Sequence, residues 1–233
     1  MVNYVKKVKN KIKIETALVS VSDKTGLGEL VERLLILNMN VLFLSTGGTY
    51  KFIKETMRNL PQLMIGPPYE EANLESVEEY TGYPEMQGGL VKTLHPKIHA
   101  GILAEYFNKE HENYLKQIDA KPIDLVLCNL YPFKRTVAEK DATLEKARAN
   151  IDIGGPSMVR AAAKNYHRVT VITDPADYLE LVKEMEENGG QTTLKFRFEM
   201  YKKAFKHTAD YERTITKYNK KIKFKDMPYE VEE

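Results

Sequence analysis

Two loops in the first fifty residues carry side chains of the types that can bind phosphate. Ser20-Val21-Ser22-Asp23-Lys24-Thr25-Gly26 sets two serine hydroxyls and the Lys24 ammonium just ahead of a helical stripe. Ser45-Thr46-Gly47-Gly48-Thr49 combines hydroxyls with two glycines that let backbone approach a ligand. A helix N-terminus offers unpaired N–H groups and partial positive charge, to which hydroxyls and a lysine add charge-assisted bonds. The same residue types cap helices and build turns, so it is their recurrence at consecutive strand ends that points to an anion. The chain contains neither G-x-x-x-x-G-K-[ST] nor G-x-G-x-x-G. A single phosphate, as on a sugar or mononucleotide, fits better than a triphosphate or a dinucleotide.

Four later clusters hold groups suited to proton transfer: Lys92-Thr93-Leu94-His95-Pro96, Asn129-Leu130-Tyr131-Pro132-Phe133, Asp152-Ile153-Gly154-Gly155-Pro156 and Lys164-Asn165. Taken singly, each reads as a cap or a solvated side chain. Together, Lys92, Tyr131, Asp152 and Lys164 supply a base, cations for a developing oxyanion and proton donors. His95 and His99 are four apart, but Pro96 lies between them and no third ligand is nearby, so no metal site is expected.

The elements that must position these groups follow from periodicity. Ala17–Val21, Val41–Leu44, Leu63–Ile65, Ile123–Asn129 and Val169–Ile172 are short apolar runs of the kind that form buried strands. Leu27, Leu30, Val31, Leu34 and Leu35 form one helical stripe, and Phe52, Ile53, Thr56 and Met57 mark another helix. Pro175–Asn188 predicts a helix stopped by Gly189 and Gly190. This alternation predicts an α/β fold, a three-layer parallel sheet with helices on both faces. In such a sheet the ligand crevice lies beyond the carboxyl ends of the strands, where the polar clusters fall. From Leu194 to about Lys221 a long helix is expected as an appendage, with Phe196, Met200, Ala204 and Phe205 inward and an excess of basic residues on its outer face. The expected division is a Lys-rich segment over 1–15, a main domain over 16–190 and a helical extension over 191–233.

Composition narrows the class. Lys plus Arg number 35 against 33 for Asp plus Glu, so the net charge of +2 gives no reason to expect nucleic acid as a partner. No apolar run approaches the roughly 20 residues that span a bilayer, and the N-terminus has no signal-peptide core. Cys128 is the single cysteine, which excludes an intrachain disulfide and favours the cytoplasm.

The runs Ser20 to Gly26, Ser45 to Thr49, Tyr80-Thr81-Gly82-Tyr83-Pro84-Glu85-Met86, Val91 to Pro96, Asn129 to Phe133, Asp152 to Pro156, Ala161 to Asn165 and Ala204 to Ala209 come in an order that resembles a known family. It is the inosine monophosphate (IMP) cyclohydrolase domain of the bifunctional purine-biosynthesis proteins, and the likeness runs from residue 17 to about 218. It implies a methylglyoxal-synthase-like fold, a homodimer, and closure of formamidoimidazole carboxamide ribonucleotide (FAICAR) to IMP, without metal or organic cofactor. Carried over by position, Lys92 stabilises the formyl oxygen with Tyr131 nearby, while Asp152 and Lys164 manage protons. Ser22, Asp23, Lys24 and Ser45, Thr46, Gly47, Gly48 and Thr49 hold the 5'-phosphate end. Val91, Thr93, Cys128, Asn129, Ile153 and Gly154 line the base.

Two departures stand out. The family usually carries arginine two residues before the lysine of K-T-L-H-P, where this chain has Leu90. The chain also ends at Glu233, short of a formyltransferase domain, so a separate formyl-transfer enzyme is expected as a companion. Two other readings share the phosphate turn: a methylglyoxal-synthase-type lyase, which would not use Lys92, Asp152 and Lys164, and a nucleotide-sensing module without turnover.

Overall fold

A computed structural model of the chain describes residues 4–60, 73–230 and 232. The expected strand at Leu63–Ile65 lies outside the described residues. The central sheet is parallel throughout and holds β2 (Thr16–Val19), β3 (Leu42–Ser45), β4 (Leu74–Ser76), β5 (Leu125–Leu127) and β6 (Thr170–Ile172), in the spatial order β4-β3-β2-β5-β6. Every residue of β2, β5 and β6 is buried, as continuous apolar strands covered on both faces must be. The chain runs outward from β2 through β3 to β4, then returns to place β5 on the other side of β2. That reversal makes the gap between β2 and β5 the topological switch point, where the loops after adjacent strands diverge and leave a crevice.

The helices follow their apolar stripes. Helix α1 (Leu27–Leu37) buries Leu27, Leu30, Val31, Leu34 and Leu35, the five positions its spacing predicts. Helix α2 (Gly47–Asn59) starts within the Ser45–Thr49 segment, and the short α3 (Val77–Thr81) opens on a reciprocal capping box between Ser76 and Glu79. Next come α4 (Pro96–Leu103), with proline in its first turn, and α5 (Lys109–Gln117), capped by Asn108. After β5 lie α6 (Phe133–Thr136), α7 (Leu144–Ala149) and α8 (Gly154–Lys164). The expected helix over Pro175–Asn188 opens instead as a 3-10 turn at Pro175–Asp177 and continues as α9 (Tyr178–Glu187). Proline fixes the first φ of that turn, and Gly189 and Gly190, both at positive φ, end the helix.

Helix α10 (Leu194–Asn219) is the expected long C-terminal helix. It buries Phe196, Met200, Ala204, Thr208, Tyr211 and Ile215 along one face and packs against α8 and β6, forming an inner wall of the core. A second, antiparallel pairing lies at its start. Strand β1 (Lys11–Lys13), in the Lys-rich N-terminal segment, pairs with β7 (Gln191–Thr193), with Ile12 buried opposite Thr192.

Two buried arginines brace the layers. Arg168 meets Asp124 at 3.0 Å and donates to the carbonyls of Gly101, Ile102, Ala104 and Ile123, while Asp124 accepts the amides of Glu15 and Thr16. Arg197 donates to the carbonyls of Lys9, Asn10, Tyr166, His167 and Thr192. It thereby joins the N-terminal segment to α10 and to the turn before β6.

Candidate active site

A cavity of about 360 Å³ opens beyond the carboxyl ends of the strands. Its walls are Ser20 after β2, Thr46 after β3, the 88–94 segment, Tyr131 after β5 and the 149–155 turn that leads into α8. Of the residues singled out from sequence, Thr46, Val91, Lys92, Thr93, Tyr131, Asp152, Ile153 and Gly154 line it together. The volume lies within the range that takes a small organic ligand. Ser20, from the first phosphate-type loop, lines the cavity as well, and so do Asn150 and Met158, to which no sequence motif points. Ser20 sits one residue past its strand, 3.3 Å from Thr46 hydroxyl to hydroxyl, and its position at a strand end is the signal that points to it.

The loops after β2 and β5 are tied at the switch point. Asn129 Oδ1 accepts from the amides of Ser22 and Asp23 at 2.7 and 2.9 Å, and Asn129 Nδ2 donates to the Asp23 carbonyl at 2.8 Å. Asp23 accepts from the Thr25 hydroxyl and amide, and these bonds hold its carboxyl below the ordinary range. Lys24 folds back, with Nζ 3.3 Å from the Val21 carbonyl. Asn129 thus uses its whole amide to shape the loop.

Lys92 stands at the foot of a glycine-rich hairpin. Met86 N–H donates to the Leu90 carbonyl, Gly88 and Gly89 take positive φ, and so does Val91 at 68°. A β-branched residue in that region is strained, and such strain gathers where surrounding structure dictates a functional geometry. The ammonium of Lys92 pairs with Glu85 on the same hairpin. It also lies close to the phosphate-type turn, for a Cβ built on Gly47 would be 3.2 Å from Lys92 Nζ. Leu90, at the position of the departure from K-T-L-H-P pattern, lines the cavity and is exposed.

Asp152 crosses the entrance to α8. Its Oδ1 accepts from Gly155 N–H at 2.8 Å, and a Cβ on Gly155 would sit 2.5 Å from Oδ2, so only glycine admits this fold of the carboxylate. The Asp152 amide in turn donates to the Tyr211 hydroxyl at 2.7 Å, a partner from the far end of the chain.

Other singled-out residues serve the frame. The Ser45 hydroxyl donates to the Val19 carbonyl and the Thr49 hydroxyl to the Val21 carbonyl, which pins the turn to β2. Cys128 is buried with its thiol directed at the Gly155 carbonyl, and burial pushes the thiol up, toward the neutral form. A side chain at Gly48 would meet nothing within 4 Å. Lys164 ends α8; it is exposed and does not line the cavity. His95 Nδ1 accepts the Lys97 amide as a helix cap, and among the described residues no group of three or more His, Cys, Asp or Glu could hold a metal. Among them, too, no helix is long and apolar enough to cross a membrane.

Residues 68–157 match the model of the MGS-like domain, and residues 162–232 match that of the AICARFT/IMPCHase bienzyme. The bifunctional purine biosynthesis protein PurH of Thermoanaerobacter sp. (strain X514) is 46% identical over 202 residues, which cover 87% of this chain and 36% of that protein. The chain belongs to the PurH-type proteins, in their IMP cyclohydrolase portion. It spans about a third of the length of the curated PurH relative it matches. The solved structure of ForH superposes with a TM-score of 0.69 at 29% identity, over 87% of this chain and 97% of that one. On the PurH-type frame, the MGS-like part carries Lys92, Tyr131, Asp152 and Gly154, and the bienzyme part carries Lys164 and all of α10.

Proposed function

We propose that this chain is an IMP cyclohydrolase of purine biosynthesis that closes FAICAR to IMP and releases water. The observation that carries the reading is the convergence of Lys92, Tyr131 and Asp152 on one cavity at the switch point of a chain related to PurH. A carboxamide nitrogen is a weak nucleophile because its lone pair is delocalised. Its attack on the formyl carbon forms the C–N bond and puts negative charge on the formyl oxygen, where the Lys92 ammonium would stabilise it. One proton then leaves the carboxamide nitrogen and one the formamide nitrogen, and the oxygen departs as water. Among the residues that line the cavity, Asp152 would serve as the base and Tyr131 as a hydroxyl donor.

The 5'-phosphate would rest against the first-turn amides of α2 and the hydroxyls of Ser20 and Thr46. Ser45 and Thr49 shape that turn from behind, while Ser22, Asp23, Lys24 and Asn129 form the neighbouring loop. Val91, Thr93, Ile153 and Gly154 would flank the base, with Cys128 buried beneath them. Lys164 stands ten residues along α8 from Gly154, roughly 15 Å at 1.5 Å per residue. We therefore assign its part in proton handling to a second copy of the chain, in a cytoplasmic homodimer whose helix end reaches the partner's cavity. A separate formyl-transfer enzyme would supply the substrate, and residues 16–190 with the extension over 191–233 would act as one catalytic unit.

Purified protein given FAICAR without folate should form IMP, seen as the ultraviolet change on ring closure; no turnover at high protein concentration removes the reading. Asp152→Asn and Lys164→Ala should each be nearly inactive. If Lys164 serves the partner, mixing them should restore about a quarter of wild-type activity, since half the dimers are mixed and each holds one intact site. A mixture as dead as its parts removes the shared site and leaves the turnover result standing.

A further inference from the structure

Tyr211 lies in α10, outside the MGS-like match, yet its hydroxyl is bonded inside the cavity wall. It sits on the buried stripe of that helix, and its ring meets Phe133 edge-on at 6.3 Å. Phe133 also takes Tyr218 edge-on at 5.8 Å, so two rings of α10 clamp the start of α6, two residues beyond Tyr131. With the ring fixed in this way, the hydroxyl has a set position, and from it accepts the amide of Asp152 at 2.7 Å across 59 residues of sequence.

We propose that Tyr211 is a positioning residue for Asp152, through which the C-terminal helix acts on the site. The inference rests on the cyclohydrolase reading for its kinetic consequence but not for the bond itself. Asp152 is held at two points: its amide by Tyr211, and its carboxylate oxygen Oδ1 by the amide of Gly155. The second contact fixes the carboxylate relative to α8, and the first fixes the turn relative to α10. A phenylalanine at 211 would keep the ring packing and leave the Asp152 amide without its acceptor. A part-buried donor so orphaned turns toward another partner, and the turn moves with it. The phenol hydroxyl therefore sets where the carboxylate stands, without touching substrate.

The test is Tyr211→Phe in the full chain. We expect kcat to fall roughly ten- to hundredfold, the scale for displacing a reacting group by about 1 Å, with KM and the urea midpoint close to wild type. In an Asp152→Asn background the same change should cost nothing further, because the group it positions is gone. Amide hydrogen exchange at Asp152 should speed up in Tyr211→Phe while the rest of α10 keeps its protection. Unchanged exchange at Asp152, wild-type kcat, or a loss that adds fully to that of Asp152→Asn would each overturn the proposal. If the wild-type chain showed no turnover, the cyclohydrolase reading would fall, and the exchange measurement would still decide the bond.

Discussion

Two cation–carboxylate pairs separate the frame of this molecule from its working surface. Arg168 and Asp124 are 2% and 5% exposed, and four carbonyls and two amides take up their remaining hydrogen-bonding capacity. Burial pushes Asp124 up to about 6, against the pull of Arg168 and the two amides. Lys92 and Glu85 are 19% and 42% exposed, on a hairpin shaped by positive-φ residues and open to a cavity. The first pair has no room for a third charge. In the second, on the proposed cyclohydrolase reading, a ligand oxyanion would take the place of Glu85 beside Lys92, so that one pair would hold the fold and the other would receive substrate.

The largest expected effect falls on the buried pair. Asp124→Ala leaves a guanidinium uncompensated in the core and should cost about 3–5 kcal/mol in urea unfolding. A loss under 1 kcal/mol would show that carbonyls alone carry Arg168. Lys92→Ala should leave the unfolding midpoint almost unchanged while kcat falls by roughly 10²–10³, as when an oxyanion loses its donor. If stability and kcat fell together, the two pairs would not differ in kind.

The smallest effect is in pH. Burial holds His99 and His207 below the ordinary imidazole value, and the Nε2 of each is buried with no hydrogen-bond partner among the described residues. Below about 6.5 the unfolded chain binds protons that these two rings resist, so stability is present above that pH and is lost as pH falls through it. His207→Asn, on the frame side, should flatten the fall in urea midpoint between pH 7 and 5.5. An unaltered slope would mean that other groups carry it.

Much of this was legible in the sequence where a period repeats. The stripe of α1 and the apolar runs of β2, β5 and β6 are long or pure enough to read, and alternating strands and helices fix the sheet as parallel. The ribbon of β1 and β7 was not legible. It has three residues a side, one buried apolar residue in Lys11–Lys13, and partners 180 residues apart. Helix α8 begins Gly-Gly-Pro, which reads as a turn, although proline is tolerated in a first helical turn. Polar clusters at strand ends led to the cavity, but not to what each side chain does there: Ser45 and Thr49 turn inward to β2 because their backbone neighbours need the bonds. Tyr211 carried a usable signal, since an inward tyrosine has a hydroxyl that needs a partner when buried.

Arg197 reaches a wider consequence. Burial lowers it to about 10, and two of the carbonyls that hold it belong to Lys9 and Asn10. Those residues look expendable, and a protein chemist trimming a tag or a ragged leader would cut there without hesitation. Such a cut would remove a counter-dipole from the middle of the molecule, so the plainest stretch of the polypeptide is the one to leave whole.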